Sequence, residues 1–162
     1  MLRLSMSKYL GVDTSNYTTS VCLYDDENDV VVQKRKLLPV SKGELGLRQS
    51  DAVFHHTQQL PSLVEELFSE CNCDVSEIKA IGASFTPRKM QGSYMPCFTV
   101  GSSVCRVMAS VLNIPLFELS HQQGHIASAL YSTNSLDLFD KPFIAFHVSG
   151  GTTDALLVNS EK

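Results

Sequence analysis

The sequence predicts an α/β domain with a mixed sheet flanked by helices, and three observations carry that prediction. Near the N-terminus, short apolar segments alternate around polar turns at strand spacing. From Ser50 onward the apolar residues recur at helical spacing. Beyond that, strand-like and helix-like segments alternate to about residue 130. Length fits this class, because 162 residues that are 43% hydrophobic and 19% charged can bury a core of about one domain, or one domain and a piece of another.

Taken in order, residues 9–14 and 20–25 read as two strands around a polar turn, and residues 30–38 as a third after the acidic turn Asp25-Asp-Glu-Asn-Asp29. The first helix follows Ser50-Asp51, with Val53, Phe54, Leu60, Val64, Leu67 and Phe68 near helical spacing, and Pro61 is expected to kink or divide it. Residues 78–85 return to strand. A second helix spans 99–112, with Val100, Val104, Val107, Met108 and Val111 expected on its packed face and Gly101, Ser102 and Ser103 allowing close approach. A short buried strand at 115–119 leads to a third helix from Ser120. The stretch 131–141 reads as a linker, and 143–158 as a hairpin turning at Ser149-Gly-Gly151.

Composition removes several classes. A formal net charge of −4 gives no global attraction to nucleic acid or an anionic membrane, so any RNA contact is local or delegated to a partner. No apolar run approaches the roughly 20 residues needed to cross a bilayer. The opening Met1-Leu-Arg-Leu-Ser-Met6 is too short for a signal core, and five cysteines are an odd number, so a reduced cytoplasmic protein is expected. Cys71-Asn-Cys73 lacks zinc-knuckle spacing and reads as buried or helix-end thiols. Cys97 and Cys105 have no activating base nearby in sequence.

Two turns and one helix carry the chemistry. The Ser149-Gly150-Gly151-Thr152 turn between apolar runs lets backbone N–H groups approach an anion, and Asp13-Thr14-Ser15 opens a comparable turn near the N-terminus. Together they suggest a nucleotide held between paired strands. In Ser120-His-Gln-Gln-Gly-His125, Ser120 with Gln123 fits a capping box, which places His121 and His125 one helical turn apart and able to chelate one divalent metal. Alternatively, one histidine caps the helix and the other is exposed or satisfied locally. Gln122 stands where a metalloprotease carries its general base, so a protease mechanism lacks that group. The adjacent His55 and His56 cannot face one metal and are expected to be solvated or partner-facing.

The element order is similar to the ribonuclease-H-like unit of the actin, sugar-kinase and chaperone-ATPase superfamily. On that reading residues 1–141 form a first such domain, ending in the histidine helix and linker, and residues 142–162 open a truncated second one. Gly11-Val-Asp-Thr-Ser15, the helix after Ser50, His121-Gln-Gln-Gly-His125 and Val148-Ser-Gly-Gly151 together resemble the N-terminal half of the tRNA threonylcarbamoyl transferase (TsaD/Gcp) family, whose older label is O-sialoglycoprotein endopeptidase. The resemblance implies an actin-like fold with a divalent metal, Fe or Zn, held by His121 and His125 and by a further ligand outside this chain. It implies ATP or an acyl-adenylate near Asp13, Thr14, Ser15, Val148, Ser149, Gly150, Gly151 and Thr152, and tRNA reached through partners.

Departures from the family pattern at Tyr17-Thr18, Arg88-Lys89, Gln123 and Thr152 point to a divergent paralogue. No catalytic residue is assigned. The expected function is a portion of a metal- and nucleotide-binding protein, inactive alone. The alternative is a non-catalytic assembly module pairing with itself or an actin-like homologue, with Phe54, Leu60 and Val64 as possible contacts, and proteolysis is a third choice.

Overall fold

The computed structural model describes residues 7–40, 46–148 and 153–159. These form two compact units, Met1–His121 and Gln122–Lys162.

In the first unit, β1 (Lys8–Asp13), β2 (Thr18–Asp25) and β3 (Val30–Leu37) form an antiparallel meander. Alternation decides which face is covered: Leu10 and Val12 on β1 and Val21 and Leu23 on β2 are buried, and their neighbours are not. The acidic turn closes because the Asp25 carboxylate accepts from the backbone N–H groups of Glu27 and Asn28, while Asp29 takes a left-handed φ of 51°.

Helix α1 (Gln49–Cys71) crosses this sheet as one unbroken helix that contains Pro61. The expected division does not occur. Pro61 and Thr57, whose carbonyl loses its i+4 donor, both lie on the exposed side of the helix. The opposite side buries Ala52, His56, Leu60, Leu63 and Leu67, a stripe that keeps the helix continuous through the proline. Of the residues named as possible partner contacts, Phe54 is exposed, while Leu60 packs inside its own unit. The helix ends at Asn72 in the left-handed region (φ 44°), whose N–H returns to Phe68 and Ser69 carbonyls. The next turn is held by a capping box between Asp74 and Glu77.

Strand β4 (Ile78–Thr86) then enters parallel to β1, helix α2 (Phe98–Leu112) covers the sheet, and β5 (Leu116–Ser120) adds parallel to β4. The sheet order is β3-β2-β1-β4-β5, so β1 is central and its C-terminal end is where the chain converges. The packed face of α2 differs from expectation. Phe98, Gly101, Ser102, Cys105 and Ala109 are buried, whereas Val104, Val107 and Val111 are exposed. Small residues win the inner face because they bring the helix axis close to the sheet: a Cβ on Gly101 would lie 3.0 Å from Thr14 Oγ1 and 3.3 Å from Val12 Cγ1.

Helix α3 (His121–Ser132) begins directly after β5, and the division between the two units falls at its first turn. In the second unit, the stretch expected as linker holds the end of α3 and a short 3-10 segment, Leu136–Asp140. The expected hairpin forms as β6 (Phe143–Val148) and β7 (Thr153–Val158), an antiparallel two-stranded sheet with His147 opposite Asp154. Its Ile144, Phe146, Val148 and Leu157 are exposed. No helix among the described residues is long and apolar enough to cross a membrane.

Candidate functional site

Asp13, the last residue of β1, is the hub of the first unit's polar cluster. One carboxylate oxygen accepts the Ser15 backbone N–H at 2.8 Å, and the other accepts the Ser84 hydroxyl and His121 Nδ1, the latter at 2.9 Å. The topology explains the meeting. In the parallel β1–β4 register Val12 is opposite Ala83, so Ser84 comes next to Asp13, and β5 delivers His121 at its end. Ser84 carries no signal of its own in the sequence. Only the strand pairing reveals it.

Burial pushes the Asp13 carboxyl upward and is the largest single influence. The hydrogen bond and charge of His121, with the Ser15 and Ser84 hydrogen bonds, outweigh it and hold the group down at about 2. An ionised Asp13 can only accept, so His121 donates from Nδ1. That is the carboxylate–imidazole arrangement by which proteins orient a metal-ligating histidine. The ring is further seated edge-on against Phe98, with centroids 6.3 Å apart.

Thr14 and Ser15 are both buried, but they serve the fold differently. The Thr14 hydroxyl donates to the Cys97 carbonyl at 2.9 Å and accepts the Gly101 N–H at 3.1 Å, tying the β1 end to the start of α2. Its oxygen is thereby committed within the chain. Ser15 instead contributes backbone: its N–H goes to Asp13, and its carbonyl accepts from Thr18 N–H at 3.2 Å, closing the turn around Asn16 (φ 42°) and Tyr17. Asn16 and Tyr17 are the exposed residues of this turn.

His56, expected to be solvated or partner-facing, is fully buried. Its neighbour His55 lies on a different side of α1, as adjacent helical residues must. The thiols fit a structural role: burial pushes Cys97 upward and Cys105 up to about 12, so neither supplies a thiolate near neutral pH.

In the second unit, His125 is exposed on α3 and stacks on His147 of β6, with ring centroids 5.5 Å apart and planes at 28°. Val148, also expected at the nucleotide, is the exposed last residue of β6. Ser149, Gly150, Gly151 and Thr152 lie outside the described residues. Among the described residues, no cluster of three or more histidine, cysteine or carboxylate side chains is arranged to hold a metal.

Comparison with known proteins supplies an independent line. The sequence profile of the family described as tRNA N6-adenosine threonylcarbamoyltransferase matches residues 41–162. A relative of that name from Prochlorococcus marinus (strain MIT 9515) is 28% identical over 163 residues, covering 97% of this chain and 43% of the relative. One from Thermosipho melanesiensis is 27% identical over 153 residues, covering 94% of this chain and 45% of the relative. The chain thus spans less than half the length of these curated relatives. Among solved structures, YeaZ from Pseudomonas aeruginosa superposes with a TM-score of 0.58 at 17% identity, covering 95% of this chain and 68% of that one. A likeness at that identity speaks for the fold, the α/β actin-like class expected from the element order.

Proposed function

Because the chain belongs to the tRNA N6-adenosine threonylcarbamoyltransferase family, we propose that it is the N-terminal portion of a metal- and nucleotide-binding protein that serves the threonylcarbamoylation of adenosine in tRNA. The observation that supports this most directly is the contact between Asp13 and His121. A carboxylate at the end of the central strand fixes the tautomer and orientation of the first histidine in the His-Gln-Gln-Gly-His segment.

His121 and His125, by their four-residue spacing, would hold a divalent Fe or Zn, with remaining ligands from beyond this chain. When bound, such a metal supplies a Lewis acid toward carbonyl and phosphate oxygens. The roles of the chain's own groups follow from their chemistry. Asp13 keeps His121 oriented and is itself held ionised by Ser84 and the Ser15 N–H. The Ser15–Tyr17 turn offers backbone to a phosphate or acyl-adenylate, the ligand class also expected at Ser149, Gly150, Gly151 and Thr152 from the sequence. Thr14 contributes by anchoring the first turn to α2. The chain alone is expected to bind and not to complete transfer, and tRNA would be reached through a partner subunit.

A second reading has its own observation. Val104, Val107 and Val111 form an exposed apolar stripe on α2, which favours pairing with another copy or with an actin-like homologue. Calorimetry separates the two. Zinc and an adenine nucleotide that each tighten the other's binding to this chain support the metal-and-nucleotide reading. Self-association that is indifferent to both, with no binding of either, would replace it with the assembly reading.

A further inference from the structure

Charge is distributed unevenly along this chain. All 17 acidic residues lie outside residues 78–117, and that stretch holds Lys79, Arg88, Lys89 and Arg106. Lys79 stands at the far end of β4, and Arg106 pairs with Glu118 at 2.9 Å. Arg88 and Lys89 come together in the loop that joins β4 to α2, followed by Met90, Gln91, Gly92, Ser93 and Tyr94. A chain of net charge −4 thus keeps a basic loop free of acidic residues.

The loop is held from within and presents its large side chains outward. The Thr86 hydroxyl donates to the Arg88 carbonyl at 3.0 Å, the Arg88 N–H to Ser93 Oγ at 3.0 Å, and the Ser93 N–H to the Met90 carbonyl at 3.1 Å. Gly92, at a φ of 79°, supplies the left-handed residue that lets the chain double back. The base of the loop is anchored. Met95 packs against the buried cluster of Leu38, Ala52, Cys97 and Phe98, and the Cys97 N–H donates to Gln49 of α1 at 3.2 Å. Above it, Met90 and Tyr94 are 63% and 65% exposed and Lys89 is exposed, so an aromatic ring and a cation are both open to a ligand. A loop ordered before binding loses little entropy when a ligand seats on it. Because β4 runs parallel to β1, the loop leaves the sheet at the same end as Asp13 and the Thr14–Tyr17 turn, whose Tyr17 is likewise exposed. That end of parallel strands is where open α/β sheets take their ligands.

We propose that the Arg88–Tyr94 loop is a contact for single-stranded RNA, in which Tyr94 stacks on a base and Lys89, with Arg88 beside it, meets phosphate. An exposed ring takes a base that is out of a helix, and a cation in an acid-free stretch suits a phosphodiester backbone. Duplex RNA keeps its bases stacked on one another and offers the ring nothing. The choice of RNA rests on the function proposed above, whereas the exposure and charge of the loop do not. The loop gives the chain an RNA contact of its own, beside any that a partner subunit supplies.

The test is fluorescence anisotropy of the whole chain with an adenosine-containing oligoribonucleotide of about ten nucleotides, single-stranded or annealed to its complement, over a series of salt concentrations. The expected result is binding to the single strand in preference to the duplex. Tyr94→Ala should weaken that binding about fivefold to a hundredfold, while Tyr94→Phe stays within about twofold of wild type. Lys89→Ala should lower the slope of log affinity against log salt by about 0.7. Both side chains are exposed, so equal urea midpoints will show that the variants fold as wild type does. A single strand left unbound, as expected of a loop that serves a protein partner instead, would overturn the proposal. Equal affinity for the duplex, or a Tyr94→Ala chain that binds as wild type does, would also overturn it. Calorimetry with zinc and adenine nucleotide on the same samples keeps the two readings apart. The functional reading fails if wild type binds neither, whereas the loop is judged by RNA alone.

Discussion

Replacing Asp13 by Asn tests the hub of the first unit. The carboxyl is held at about 2 against an ordinary 3.8, and each pK unit is worth about 1.4 kcal/mol, so the ionised group contributes about 2 kcal/mol to folding at neutral pH. Its lowered value fixes the sign. The contribution is complete above the unfolded value and drains as pH falls through the folded one, with roughly 1 kcal/mol gone by pH 3. Asn keeps one acceptor for the Ser15 N–H but turns an NH2 toward Ser84 and His121, where the native carboxylate accepts. Urea unfolding of wild type and Asp13→Asn should therefore differ by about 2 kcal/mol at neutral pH, and the gap should narrow by about half at pH 3. Equal stability at neutral pH, or a gap that stays constant on acidification, would refute the reasoning.

Two further substitutions probe the packing that places this hub. Pro61→Ala restores a helical N–H to the Thr57 carbonyl on the solvent face of α1 and should stabilise the chain by about 1–3 kcal/mol, read as a higher Tm. A lower Tm would mean that the proline shapes the helix. Gly101→Val brings its Cβ to 3.0 Å from Thr14 Oγ1 and 3.2 Å from Thr14 Cγ2, and should cost about 1–3 kcal/mol by pushing α2 from the end of β1. An unchanged urea midpoint would show that α2 does not rest on Thr14.

The order of elements was legible in the sequence because period-2 and period-3.6 patterns survive without tertiary context. Pro61 misled because a local rule about backbone donors omits the burial of Leu60, Leu63 and Leu67 on the other side of the helix. The valines of α2 misled for a related reason. Hydrophobicity marked Val104, Val107 and Val111 as core, but close approach to β1 selected Gly101, Ser102 and Cys105. In the site, Asp13, Ser15 and His121 were readable from their motifs. Ser84 was not, nor was the burial of His56, since each depends on strand register or a helix face brought across from another part of the chain.

Metal content of the purified chain, by mass spectrometry after reloading with zinc or iron, tests the central claim most directly when set beside His121→Ala and Asp13→Asn. The account predicts up to one metal per chain, lost in His121→Ala and held about 10- to 100-fold more weakly in Asp13→Asn, because the carboxylate orients the ligand without touching the metal. A wild-type chain that takes up no metal, or takes up as much as His121→Ala, would contradict it.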